Sequence, residues 1–163
     1  MISYTIGVFS DSHGKVKNIK KAVELCDDVD IFFHLGDYDV DSEIIKRYSK
    51  KTVYAVCGNN DFSSEYPEKL EIEVNGSKII LLHGHQYNYS NRDYKLLLLA
   101  QQSNAQAVLY GHSHISSSLV EDDILILNPG SITYPRDGKG NSFAKLYVDN
   151  MGKITFDIIK FKS

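Results

Sequence analysis

The chain has 163 residues, of which 42% are hydrophobic and 24% charged, an ordinary globular balance that excludes collagen-like, coiled-coil and disordered chains. At about 150 residues per domain, the length fits one domain over residues 1–163, large enough to bury a full core without staples. Eighteen basic against 21 acidic residues give a formal charge of −3, which leaves no basic field for general nucleic-acid binding and no polybasic membrane anchor.

Two cysteines, Cys26 and Cys57, are too few for a disulfide framework and read as reduced, buried thiols. The opening Met1-Ile2-Ser3-Tyr4-Thr5-Ile6 lacks the basic and long apolar regions of a secretory leader. No apolar run approaches the ~20 residues needed to span a bilayer. These features lead to the expectation of a cytoplasmic protein without membrane contact.

The first third alternates strand and helix. Thr5–Phe9 reads as a buried strand, and Ile19, Ala22, Val23 and Cys26 recur at i, i+3, i+4 and i+7, the spacing of an amphipathic helix. Asp30–Phe33 is a second apolar strand, Ile44, Ile45 and Tyr48 sit on a second helix, and Val53–Val56 is a third strand. This order indicates parallel βαβ units. Next, Leu70–Val74 alternates with period 2, Asn75-Gly76 is a strong hairpin signal, and Lys78–Leu82 follows. Asp93–Ser103 reads as a helix and Ala107–Tyr110 as a buried strand. Two hairpins close the chain, one turning at Asp122-Asp123 and one at Asn150-Met151-Gly152. About ten strands with three or four helices exceed one comfortable sheet, so two facing sheets with outer helices are expected.

Five segments end predicted strands with metal-type side chains: Asp11-Ser12-His13, Gly36-Asp37, Gly58-Asn59-Asn60-Asp61, His83-Gly84-His85 and Gly111-His112-Ser113-His114. In α/β sheets the carboxyl ends of parallel strands form the ligand crevice, where all five would converge. Asp, His and Asn donors without thiolate suit a divalent ion of intermediate hardness. Mn²⁺ heads the candidates, with Ni²⁺, Fe²⁺, Zn²⁺ and Co²⁺ as alternatives. The seven candidate ligands Asp11, His13, Asp37, Asn59, His83, His112 and His114 are too many for one ion and suit two, the arrangement used to hydrolyse phosphate esters. Each segment alone has a plainer reading: Asp-x-His can cap a helix, Gly-Asp can be a turn, and His-Gly-His can be a satisfied loop. The joint pattern carries the argument, since five of the six histidines fall in these segments.

In this order and at these intervals the five motifs resemble the calcineurin-like metallophosphoesterases. The short length, Asn59-Asn60, and Asn128-Pro129-Gly130-Ser131 followed by Pro135-Arg136 are similar to their compact prokaryotic phosphodiesterase branch. The resemblance implies a four-layer α/β/β/α sandwich of two facing mixed sheets with outer helices. It also implies a dinuclear site, with Asp11, His13, Asp37 and His114 on one ion, Asp37, Asn59, His83 and His112 on the other, and Asp37 bridging. The implied reaction is hydrolysis of a small phosphoester, more readily a diester than a monoester, by a hydroxide bridging two divalent metals.

Asn60, Asp37 and His85 are the expected catalytic residues. The larger branch reads Gly-Asn-His-Asp, with a histidine that can protonate the leaving group. Asn60 stands there in this chain, and an amide can donate a hydrogen bond but gives up no proton at neutral pH. Asp61 is either an orienting group or a turn residue. His34 is expected to be buried and hydrogen-bonded, His85 to touch substrate or fix His83, and Arg136 either to bind phosphate or to be solvated. The same fold also serves as a scaffold subunit in eukaryotic retromer, so a catalytically silent scaffold or binding module is the alternative. Family members are often dimers or tetramers, so a homodimer or homotetramer is the expected assembly.

Overall fold

A computed structural model describes residues 3–163; the part of the leader reading that falls on Met1 and Ile2 lies outside them. The elements run β1 (Tyr4–Phe9), α1 (Val16–Glu24), β2 (Ile31–His34), α2 (Asp41–Ser49), β3 (Thr52–Ala55), β4 (Lys69–Val74) and β5 (Ser77–Leu82). After a short 3₁₀ turn at Tyr89–Asn91 come α3 (Arg92–Ser103), β6 (Ala107–Leu109), β7 (Ser117–Glu121), β8 (Ile124–Asn128), β9 (Asn141–Val148) and β10 (Ile154–Phe161).

The strands form two five-stranded sheets, ordered β10-β9-β1-β2-β3 and β4-β5-β6-β8-β7. In the first, β1, β2 and β3 are parallel and β9 and β10 antiparallel. In the second, β5, β6 and β8 are parallel, flanked by antiparallel β4 and β7. Alternation along each strand separates the layers, because successive side chains point to opposite faces. Ile6 and Val8 of β1 join Ile79, Leu81, Leu109 and Leu127 between the sheets. Phe9 points the other way, onto Ile19, Ala22 and Val23 of α1 and Ile45 of α2. Leu96 and Ala100 of α3 cover Ile80, Val108 and Ile126 on the outer face of the second sheet. The result is the expected α/β/β/α sandwich.

Differences from the sequence reading are local. Helix α1 stops at Glu24, so Cys26 lies past its end, yet it is still buried against the same core. Cys57 is not buried as expected: it follows β3 in a loop and is half-exposed, tied by its backbone N–H to the Pro67 carbonyl at 2.9 Å. Both thiols are free. Among the described residues no helix is long and apolar enough to cross a membrane.

Candidate metal centre

The parallel strands of both sheets end at the same edge of the sandwich, and each passes its next residues into one crevice. β1 leads to Asp11, β2 to Asp37, β3 to Asn59, β5 to His83, β6 to His112 and His114, and β8 to Ser131. The sheets are laced together there. Asp11 N–H donates to Gly36 O at 3.1 Å, Gly111 N–H to His83 O at 2.9 Å, and the His83 ring to Leu35 O at 2.7 Å.

This packing demands glycine at several points. A Cβ on Gly111 would collide with Ser10 Oγ and Asp11 Oδ2, and one on Gly58 with Asp37 Oδ1. The backbone is strained as well as crowded. Asp11, His13, Asp37, His112 and His114 all have φ between 48° and 66°, a left-handed region that costs non-glycine residues on the order of 1–2 kcal/mol each. The plainer reading of Asp-x-His fails, since the residue preceding α1 is Lys15 and no side chain caps that helix.

Asp11, His13, Asp37 and His114 bring one ligand atom each to within 4.8 Å of one another, a group that could hold a metal ion. His114 Nε2 is 3.2 Å from Asp11 Oδ1, His13 Nε2 3.4 Å from His114 Nε2, and His13 Nε2 3.8 Å from Asp37 Oδ2. A second group adjoins it. His83 Nε2 lies 3.3 Å from Asp37 Oδ1 and 3.1 Å from Asn59 Oδ1, and the His112 ring is 5.2 Å from the His83 ring, centroid to centroid. The two oxygens of Asp37 thus face different imidazoles. Of the seven candidate ligands, Asn59 alone is exposed.

The donor set fits a divalent cation. His83 and His114 direct Nδ1 at the carbonyls of Leu35 and Tyr134, both at 2.7 Å. A ring that donates from Nδ1 presents a bare Nε2 to the crevice, the usual arrangement of ligating histidines. Asp11 Oδ2 accepts Ser10 Oγ–H at 2.7 Å and His112 N–H at 3.1 Å, while its Oδ1 is buried without a hydrogen-bond partner. A fully buried orphan acceptor facing other acceptors calls for positive charge.

Burial opposes ionisation of Asp11, but the close His114 ring and the neighbouring His83 imidazole outweigh it and hold the carboxyl below its usual range. For His114 burial acts downward and the Asp11 contact reverses it, leaving the imidazole above its ordinary value. Burial lowers His13, His112 and His85, which favours the neutral rings that ligation needs.

The remaining sequence candidates surround this core. Asn60 donates its backbone N–H to Asp37 Oδ1 at 3.0 Å and its side-chain amide to Asp37 Oδ2 at 2.7 Å. His85 stands with its ring centroid 5.6 Å from that of His83, its Nδ1 buried and unpartnered. His34 is fully buried: Nδ1 accepts Gly36 N–H at 3.2 Å, so Nε2 carries the proton and donates to Ser12 Oγ at 2.8 Å. Ser12 in turn donates to Asp41 Oδ2 at 2.6 Å, which also takes Gly14 N–H at 2.8 Å. Arg136 is exposed and touches the site by its backbone, N–H to His114 O at 3.0 Å.

Ser12 and Asp41 of this relay were not singled out from the sequence. Asp41 opens α2, where an acidic residue is expected for the helix dipole alone, so its polar partner is invisible without the fold. The Asn128–Ser131 segment has a structural task. Asn128 Nδ2 donates to Gly111 O and Ser113 Oγ, both at 2.9 Å, and Ser131 Oγ to Asp11 O at 2.8 Å.

Residues 4–151 match the family model of the calcineurin-like phosphoesterase superfamily domain. The chain is 34% identical over 147 residues to the probable metallophosphoesterase YsnB of Bacillus subtilis, covering 88% of this chain and 83% of that one. It is 30% identical over 144 residues to the phosphodiesterase MJ0936 of Methanocaldococcus jannaschii, covering 77% and 82%. A crystal structure of a predicted phosphoesterase from Streptococcus pneumoniae superposes with a TM-score of 0.82 at 35% identity, over 98% of this chain and 91% of the other. With fold, cluster and motif order in agreement, the chain belongs to the calcineurin-like phosphoesterase superfamily, whose members are metal-dependent hydrolases of phosphoesters.

Proposed function

We propose that this chain is a phosphodiesterase whose crevice holds two divalent cations, Mn²⁺ being the first choice for an oxygen- and imidazole-rich donor set. The observation that carries the reading is Asp37. Its two oxygens face two separate imidazole groups, His13 at 3.8 Å and His83 at 3.3 Å, the placement a shared carboxylate needs. Asp11, His13 and His114 would complete one set with Asp37, and Asn59, His83 and His112 the other.

A bound cation pair supplies Lewis acidity toward the phosphoryl oxygens and acidifies water toward hydroxide near neutral pH. The chain's own residues do the rest. Asp37, at the junction, sets the separation of the two sets. Asn60, exposed and anchored on Asp37, presents its amide to an equatorial phosphoryl oxygen as charge develops there. His85 stands beside His83 with a buried, unpartnered Nδ1. The His34–Ser12–Asp41 relay holds the loop carrying Asp11 and His13 against the loop following β2.

The diester preference is supported by Asn60 in place of a proton-donating histidine and by the likeness to a phosphodiesterase. The test is hydrolysis of bis(p-nitrophenyl) phosphate and p-nitrophenyl phosphate by metal-stripped protein reloaded with each divalent ion. Faster turnover of the diester with Mn²⁺ is expected. Absence of turnover at full metal load would overturn the enzyme reading in favour of the silent scaffold.

A further inference from the structure

Arg92, the first residue of α3, is 7% exposed. Its guanidinium makes no hydrogen bond and has no carboxylate within 4.0 Å among the described residues, and Nε is buried without a partner. It lies against two aromatic rings: the guanidinium carbon is 5.2 Å from the Tyr89 ring centroid and 4.7 Å from that of Tyr110. Cation–π contact accepts the charge but satisfies none of the five in-plane N–H donors. The buried Nε–H left so is costly unless an acceptor completes it.

The space for one is there. Arg92 lines a cavity of about 230 Å³ at the start of α3, large enough for a small oxyanion and too small for a nucleotide. Ser113 and Ser117 line it too. The Tyr110 and Ser117 hydroxyls bond each other at 3.1 Å, and Ser113 spends its proton only on a long 3.4 Å contact to Ile115 O, so hydroxyl protons remain available. The amino end of α3 adds positive potential. Asp93 also lines the cavity and is the one carboxylate there; its Oδ1 sits 3.5 Å from the Tyr110 hydroxyl. Along residues 112–117, Ser113, Ile115 and Ser117 face this cavity while the alternate His112 and His114 face the metal crevice, so the two sites lie on opposite sides of one segment.

We propose that this cavity is a binding site for a small oxyanion, a phosphate or a carboxylate, anchored in the fork of Arg92. It is separate from the metal crevice and does not depend on the phosphodiesterase reading.

The test uses full-length protein freed of metal by chelation and dialysis, so that phosphate cannot bind through cations. Thermal unfolding and titration calorimetry are run with sodium phosphate and with sodium acetate, each against chloride at equal ionic strength. The expected result is a rise in Tm of a few degrees with at least one of the two anions and a measurable binding isotherm; which arm responds tells the tetrahedral from the planar source. Arg92→Gln should weaken that binding at least about tenfold, the loss of a charge-assisted bond, without lowering Tm in chloride, whereas an arginine kept only for its tyrosine stacking would lose stability. Should that variant not fold, Ser117→Asp decides. A carboxylate built into the cavity should raise Tm in chloride and remove the anion response. No stabilisation beyond chloride by either anion, or an unchanged response in both variants, overturns the proposal.

Discussion

The carboxylate of Asp61 accepts the backbone N–H of Asp37 at 2.9 Å. The same carboxylate takes the N–H groups of Tyr38 at 2.6 Å, Asp39 at 3.0 Å and Gly58 at 2.7 Å. Four donors on one side chain join the loop after β2 to the loop after β3. Asp37 and Tyr38 both sit at positive φ, 57° and 67°, a conformation that does not hold itself. Of the two sequence readings of Asp61, the geometry is that of an orienting group.

Asp61→Asn should therefore act at a distance. An amide keeps one oxygen acceptor but turns an NH₂ group toward two N–H donors, losing charge-assisted bonds worth roughly 1.5–3 kcal/mol each. Metal affinity is expected to fall about 10–100-fold, the usual cost of removing a group that orients a ligand. Calorimetric titration with Mn²⁺ checks it, and unaltered affinity would leave Asp61 a mere turn residue.

Asp37→Asn should be among the most damaging single changes. The charge facing His13 and His83 is lost together, and Asn60 loses the carboxylate to which it is bonded twice. Elemental analysis of wild type loaded with Mn²⁺ should approach two equivalents, and the variant should fall well below that with turnover near background. A variant with wild-type metal content and rate would remove the bridging role.

Much of this site is legible in the sequence because strand ends are. Period-2 alternation in β4 and the Asn75-Gly76 turn locate strands directly, and once strands are placed, their carboxyl ends place Asp11, Asp37, Asn59, His83 and His112. His34 reads as buried and hydrogen-bonded, but the partners within the supporting shell are not legible, for a physical reason. Ser12, His34 and Asp41 are joined across separate elements, and the Tyr134 and Leu35 contacts are to main-chain carbonyls, which carry no residue-type signal. Cys57 misleads because it ends an apolar run that reads as strand, whereas β3 stops at Ala55 and leaves it half-exposed in a loop.

Removing metal should abolish activity without unfolding the protein. The three apolar layers, between the sheets and under each helical face, contain none of the seven candidate ligands, so folding does not wait for metal as it does in a zinc finger. Circular dichroism of chelated protein should keep its secondary structure, and adding Mn²⁺ should raise Tm by mass action. Immediate loss of the far-ultraviolet signal on chelation would contradict this.

On the proposed reading, Asn60 sets which substrates react well. Its Nδ2 lies 2.7 Å from Asp37 Oδ2, so the amide is aimed into the crevice, where a histidine at this position could have released a proton to the leaving group. A general acid typically contributes about 10²–10⁴-fold when the leaving group is poor, and Asn60 can supply hydrogen bonding alone. Diesters with acidic leaving groups such as nitrophenol should therefore turn over well and alkyl diesters poorly. The measurement is the slope of log rate against leaving-group pKa for wild type and for Asn60→His. A steep slope in wild type that flattens in the variant is expected, because the new imidazole can protonate the departing oxygen. A shallow wild-type slope would assign the proton to another group, and the same plot for His85→Ala would then tell whether that group is the neighbouring imidazole, whose Nδ1 has no hydrogen-bond partner among the described residues.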